Sequence, residues 1–342
     1  MKQSVRRSTF LAMGLGLAVA ASGLTGCAQS APATLPTSAK LKIVASTAVW
    51  GSVIEAIAGD KVQVSSIVNK PNQDPHSFEA SVRDQAAINS ADLIFITGNG
   101  YDSFMNQLIN ASNQPTNRVV ALAPNDITVK PLYGHTVNDP HVWYDFAIVA
   151  RVANDITAKL VNADKPDAAS FRAGNANFQN SIVALEKRLD KASYRYTCAT
   201  DQMPNSPPCK NLAQTSILQP ESVGLRLIKK FVVDLTPRSV RQAVMNGNDI
   251  SVQDMAIMKT FFFGSVVNGS LGFAADTPVD WLVLNAQQSG PQLSQLTSWA
   301  KKTGTTSIVT FSENLPQGKT YLSWMNDNVA QIETIRSHEP VL

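Results

Sequence analysis

Histidine is scarce in this chain, with four among 342 residues, and cysteine is scarcer, with three. Neither sign of charge is in excess. Lysine and arginine number 29 against 26 aspartates and glutamates. Three of the basic residues, Lys2, Arg6 and Arg7, lie in the first stretch, so the remainder is balanced. A near-neutral surface argues against a polyanionic partner such as nucleic acid. Past the N-terminal stretch no apolar run is long enough to span a bilayer. The chain also lacks H-E-x-x-H, a G-x-S-x-G elbow and any other nucleophile motif, which removes the usual sequence grounds for a hydrolase.

What is present begins with an export signal. Lys2, Arg6 and Arg7 precede the apolar run "TFLAMGLGLAVAA", which is too short for a membrane span. "LTGC", residues 24–27, follows, and small residues before a cysteine mark a bacterial lipoprotein cleavage site. The expectation is a signal over 1–26, lipidation of Cys27, and a protein anchored to the cell membrane on its extracytoplasmic side. Residues 27–39 are rich in Ala, Pro, Ser and Thr and read as a flexible tether. An exported chain meets an oxidising compartment. Cys198 and Cys209, close together in the Pro/Asn/Ser-rich "YTCATDQMPNSPPCK", therefore read as a disulfide, contributing about 2–3 kcal/mol if unstrained. A metal role for this pair is the weaker reading, because no histidine lies nearby.

From residue 40 the pattern alternates between short buried-strand runs and helical spacing. "LKIVAST", "VQVSSIV", "DLIFITG" and "RVVALAP" read as strands, with helical stretches at 49–59, 81–91 and 101–112 between them. Alternation of this kind predicts an α/β lobe with a mostly parallel sheet, over 40–164. Residues 165–194 read as one long helix. Phe178, Ile182, Leu185 and Leu189 share one of its faces, as expected of a rigid strut. Alternation resumes over 195–342, with strands at "AQTSIL", "WLVLNA" and "SIVTFSE". Helical stretches are expected at "ESVGLRLIKKF", 251–263, 292–304 and 319–335. The fold class is α/β: two mostly parallel lobes joined by a long helix.

Two of the four histidines follow the same pair of residues, in "NQDPHSFEA" and "NDPHVWYD". Proline fixes its own φ and pushes the preceding aspartate to extended geometry, so His76 and His141 leave the backbone in a restricted direction. The aspartate can hold one ring nitrogen and leave the other free for a metal. Turn capping is the plainer alternative for either histidine alone. About four donors are usual for a transition metal. The second lobe has no histidine in its body, so carboxylates must serve. Glu221, at the start of a helical stretch after "SILQP", and Glu313, ending "SIVTFSE", stand at strand–loop junctions. Gln219 competes for the position given to Glu221. His135 could be an accessory ligand, although Gly134 and Thr136 suggest a mobile loop. His338 reads as solvated.

These residues resemble the solute-binding lipoproteins of zinc and manganese ABC importers. "IVASTAVWGSVIEAIAGDKVQVSSIVNKPNQDPHSFEAS" is similar to the family's opening. "ADLIFITGNGYDSFMNQL" and "NDPHVWYD" continue it, and "TFSENLPQGKTYLSWM" is similar to its closing segment. The resemblance implies two α/β lobes joined by a long helix, with the ion held between them. It implies metal ligands at His76, His141 and Glu313, and a third family position, histidine or glutamate, at Glu221. That placement follows the spacing to Phe231-Val232-Val233. The chain departs from the family around "PESVGLRL", where the family's aromatic residues and glycine are missing, and Gln219-Pro220 resembles a variant Glu-Pro. A histidine-rich loop common in zinc members is reduced to His135.

The function expected is capture of a divalent transition metal, Zn2+ or Mn2+, and its delivery to the permease of an ABC importer by a monomeric, non-enzymatic lipoprotein. The Irving–Williams order favours zinc at equilibrium. Affinity should fall below about pH 6.5 as the imidazoles protonate. The rivals are a zinc hydrolase, in which two histidines and glutamates would activate water, and an adhesin or structural lipoprotein with a degenerate site.

Overall fold

The computed structural model of the chain describes residues 40–338 apart from 76, 113–114, 132–133, 195–214 and 264–277. The expected signal, Cys27, the tether, His76, Cys198 and Cys209 therefore lie outside the described residues.

The first lobe is built on β1 (Leu41–Thr47), α1 (Ala48–Ala58), β2 (Val62–Val68), α2 (Val82–Ser90), β3 (Leu93–Ile96), α3 (Ser103–Asn110) and β4 (Val119–Ala121). Its four strands are parallel, in the order β2-β1-β3-β4. β1 is apolar on both faces, as a central parallel strand with helices on either side must be. Ser81 opens α2 with a capping box: its hydroxyl accepts from the Asp84 amide, and the Asp84 carboxylate accepts from the Ser81 amide. A small antiparallel pair follows, β5 (Thr128–Val129) with β6 (Val137–Asn138), then a 3-10 turn at Val142–Tyr144 and α4 (Phe146–Ala163).

α5 (Ala168–Tyr194) is the expected long helix. Phe178, Ile182, Leu185 and Leu189 are all buried, joined by Phe171 one face-repeat earlier. Gly174 sits so close to α1 that an added Cβ would lie 2.0 Å from the Ile57 carbonyl oxygen. Only glycine permits that approach, because backbone on both sides cannot give way.

The second lobe holds β7 (Thr215–Leu218), α6 (Leu225–Ile228), β8 (Val232–Asp234), α7 (Arg238–Met245), α8 (Val252–Phe263), β9 (Trp281–Asn285), α9 (Pro291–Thr303), β10 (Ser307–Phe311) and α10 (Tyr321–His338). Its strands are parallel in the order β10-β9-β7-β8. Taken by succession along the chain, both sheets have the order second, first, third, fourth. The two lobes thus repeat one topology without repeating sequence.

One expectation is corrected here. "ESVGLRLIKKF" is not a long helix beginning at Glu221; helix is confined to the single turn Leu225–Ile228. Gly224 adopts φ +83° immediately before it, and a Cβ there would lie 2.2 Å from the Phe311 ring. The left-handed residue breaks the helical run and lets Phe311 fill the space. Glu221 consequently stands on a loop.

A single apolar core runs from the α1 side of the first sheet, past α4 and α5, to Phe311, Trp324 and Ile332 of the second half. Separate clusters cover the outer side of each sheet. α10 returns to pack along α5, where Arg188 donates to both carboxylate oxygens of Glu333 at 3.1 and 2.6 Å. The lobes are further tied by Tyr144 Oη to the Ser312 carbonyl and Tyr321 Oη to the Trp143 carbonyl, each 2.7 Å.

Candidate metal centre

In parallel α/β sheets the loops at the strand carboxyl ends face the ligand crevice. Glu221 follows β7, Asn285 ends β9 and Glu313 follows β10, so the second sheet supplies three polar side chains at one end. From the first lobe comes His141, after β6 and Pro140 and just before the 3-10 turn. One donor atom each from His141, Glu221 and Glu313 lie within 4.8 Å of one another. His141 and Glu313 are buried, and Glu221 is half-buried.

The second Asp-Pro-His works as its chemistry suggests. Asp139 Oδ1 accepts from the His141 amide at 3.1 Å and from ring Nδ1 at 2.6 Å. This fixes the ring and turns Nε2 outward, where it meets Glu313 Oε1 at 3.4 Å. Two donors bound tetrahedrally at about 2.0–2.1 Å from a zinc-sized ion lie about 3.4 Å apart, so this pair has the spacing of a chelate. Trp143 stands edge-on to the imidazole with ring centroids 5.4 Å apart, and Tyr101 walls it at 6.0 Å.

On the opposite side, amides hold the carboxylates. Asn285 Nδ2 donates to Glu221 Oε2 at 2.8 Å and reaches Glu313 Oε2 at 3.4 Å. The Glu313 amide donates to Gln287 Oε1 at 2.8 Å. One side-chain amide thus sits between two acids that would otherwise only repel.

Burial alone would depress the His141 pKa. The hydrogen bonds to Asp139 and Glu313, with their charges, outweigh it and push the imidazole up to about 10. Burial also works against an ionised Asp139, but the His141 ring and the Arg226 guanidinium hold its carboxyl below the usual range. The Tyr101 phenol is pushed up well above its ordinary value, first by burial and then by the Glu313 charge. In the ion-free state a proton on His141 therefore occupies the place suited to a cation.

The remaining candidates fall as follows. His76 is outside the described residues, but the loop before it docks beside Glu313. Gln287 Nε2 donates to the Pro71 carbonyl at 3.0 Å, and Asn314 Nδ2 donates to that of Gln73. Gln219 is buried and spends its Nε2 on the Val223 carbonyl at 2.8 Å, closing the turn that carries Glu221. His135 is exposed, and its Nδ1 accepts from Arg238 Nη2 at 3.2 Å across to the second lobe. Among the described residues His135 is not part of the His141–Glu221–Glu313 cluster. Tyr101, Asn285 and Gln287 escaped the sequence reading. Asn285 and Gln287 had one available signal, polar amides at and just past the end of the apolar strand "WLVLNA".

Residues 43–200 match the family described as "Zinc-uptake complex component A periplasmic". The resemblance drawn from the quoted motifs thus holds. The manganese ABC transporter substrate-binding lipoprotein scaA of Streptococcus gordonii is 27% identical over 172 residues, covering 48% of this chain and 55% of the relative. The manganese-binding lipoprotein MntA of Halalkalibacterium halodurans is 32% identical over 163 residues, 47% of this chain and 53% of its own. The chain spans about half the length of the curated relatives it matches. In fold it is similar to the periplasmic zinc-binding protein TroA of Treponema pallidum, with a TM-score of 0.63 and 15% identity. That match covers 87% of this chain and 99% of the other. These relatives are named for metal binding and transport, not catalysis. Among the described residues no helix is long and apolar enough to cross a membrane.

Proposed function

We propose that the protein captures a divalent transition metal ion outside the membrane and hands it to the permease of an ABC importer. The observation that carries this reading is the convergence of an imidazole from one lobe and two carboxylates from the other within 4.8 Å. The ion is cargo, so no step of bond making or breaking is required of the protein. His141, Glu221 and Glu313 are the proposed ligands, with His76 completing four. One or two nitrogens with carboxylate oxygens suit both zinc and manganese. Zinc is the stronger binder of the two at equilibrium, and the relatives' names include both metals. Lipidation of Cys27 would keep the carrier beside its permease, and the Cys198–Cys209 bridge would close the loop after α5.

Elemental analysis and calorimetry of the purified chain test this directly, with His76→Ala and His141→Ala alongside. One ion per chain, with affinity lost in both variants, is the expected result. A folded wild type that takes up neither zinc nor manganese would end the proposal.

A further inference from the structure

Arg226 is not one of the three donor residues, yet it is buried with its side chain only 3% exposed. It belongs to α6, in the second lobe, and reaches across into the first. Its Nε lies 3.1 Å from Asp139 Oδ2, an ion pair without the alignment of a hydrogen bond. Its Nη2 donates to the Asp139 carbonyl and, at 2.7 Å, to the Asp126 carbonyl. Ser222, also from the second lobe, donates its hydroxyl to Asp139 Oδ1 at 3.2 Å. Asp139 is thus gripped at backbone and carboxylate by residues of the opposite lobe, while the same carboxylate holds the His141 ring.

We infer that Arg226 is a positioning residue that makes the grip of His141 on the ion conditional on the docked arrangement of the two lobes. The inference rests on the metal-capture reading of the same site. The reasoning is geometric. A carboxylate with no exposed surface needs a cation to remain buried, and Arg226 is the cation facing its Oδ2. The planar guanidinium lets one side chain pair its charge with the Asp139 carboxylate while hydrogen-bonding the peptide that leads to Pro140 and His141. A lysine would keep the charge but could not span these acceptors. Drawing α6 away from the first lobe would take Arg226 and Ser222 with it. Asp139 would be left free to turn, and the imidazole would lose its fixed direction. A permease that separates the lobes would then loosen the ion without touching it.

The test combines a ring signature with a mutant cycle. With four histidines in the chain, histidine-labelled protein gives few imidazole signals, and His141→Gln identifies the one of interest. At one fixed pH, the hydrogen-bonded Nδ1–H resonance of ion-free Arg226→Met should be shifted or lost, with Arg226→Lys in between. Zinc affinity of Arg226→Met should fall about 10–100-fold, the range typical of partners one step removed from a metal. The loss should shrink to less than about threefold when the comparison is made in an Asp139→Asn background. Should Arg226→Met not fold, Arg226→Lys carries both comparisons with the charge kept. An unchanged His141 signal in a folded variant overturns the inference, as does an equal affinity loss in the Asp139→Asn background. If wild type takes up no ion, it is the metal-capture reading that fails, and the ring signal still decides whether Arg226 positions His141.

Discussion

The two lobes have the same strand order but equip the site by different physical means. The first lobe presents an imidazole locked by its own neighbours in sequence. Asp139 lies two residues before His141, Pro140 sits between them, and Trp143 stands edge-on two residues later. The second lobe presents carboxylates on loops, steadied by amides distant in sequence. Asn285 lies 64 residues after Glu221 and 28 before Glu313. A local device survives as a readable tripeptide. A non-local one is assembled only when β7, β9 and β10 come together. The difference predicts which changes damage which half.

The largest effect is expected from Gly224→Ala. A methyl there would meet the Phe311 ring at a φ that disfavours any side chain. Phe311 ends the strand before Glu313, and Gly224 lies three residues after Glu221 and two before Arg226, so both carboxylates should shift and the hold of Ser222 and Arg226 on Asp139 should loosen with them. Stability should drop by about 2–3 kcal/mol. Metal affinity should fall with it, and the His141 ring signal should shift. Denaturant melts, calorimetry and imidazole spectra read the three quantities. An unchanged His141 signal would show that the first lobe holds its imidazole without help from the second.

Next in size is Asn285→Ala. It leaves all proposed ligands in place but removes the amide between the two acids. An affinity loss of about tenfold or more is expected by calorimetry. No change would mean that the carboxylates are positioned by their loops alone, and the contrast with His141 would weaken.

Proton linkage gives a smaller and more discriminating effect. The His141 pKa, raised to about 10, lies above the unfolded value of about 6.5. Its contribution to ion-free stability is therefore full below about pH 6.5 and is lost as pH rises through about 10. A metal ion must displace that proton, so binding near pH 8 should release about one proton. Calorimetry in two buffers of different ionisation enthalpy measures it. The pairing with Asp139 and Glu313 thus moves the expected weakening of affinity upward from pH 6.5, into the neutral and alkaline range. A release near zero would contradict the coupling between the two halves that Nε2 and Glu313 imply.

The smallest effect is expected from Arg188→Ala, which removes the tie between α5 and α10. Both partners are more than a third exposed, so the loss should be about 0.5–1 kcal/mol in a denaturant melt, with metal affinity unchanged. A clear drop in affinity would mean that the α5–α10 junction also sets the site geometry.

How much could be read beforehand follows the same division. The alternation of strands and helices, the long helix with its buried face, and His141 with its aspartate were all legible, because each depends on periodicity or on neighbours a few residues apart. Glu313 was legible as an acid after a strand. Glu221 was located, but its surroundings were misread. "ESVGLRL" has helical composition, and only the packing of Phe311 against Gly224 shows why the helix waits until Leu225. β8, only three residues long, entered only as the spacing reference Phe231-Val232-Val233 and not as a strand. α7 carried too few apolar positions to announce itself. Arg226 sits within an otherwise apolar turn, and nothing local marks it as the partner of an aspartate 87 residues earlier.

The most direct test is anomalous diffraction from crystals of the chain grown with zinc, recorded at the zinc edge. The account predicts one strong peak about 2 Å from His141 Nε2, also contacting Glu221 and Glu313, so that ligands from both lobes share one ion. A peak bound by one lobe only, or an ion seated elsewhere with His141 still paired to Glu313, would contradict it.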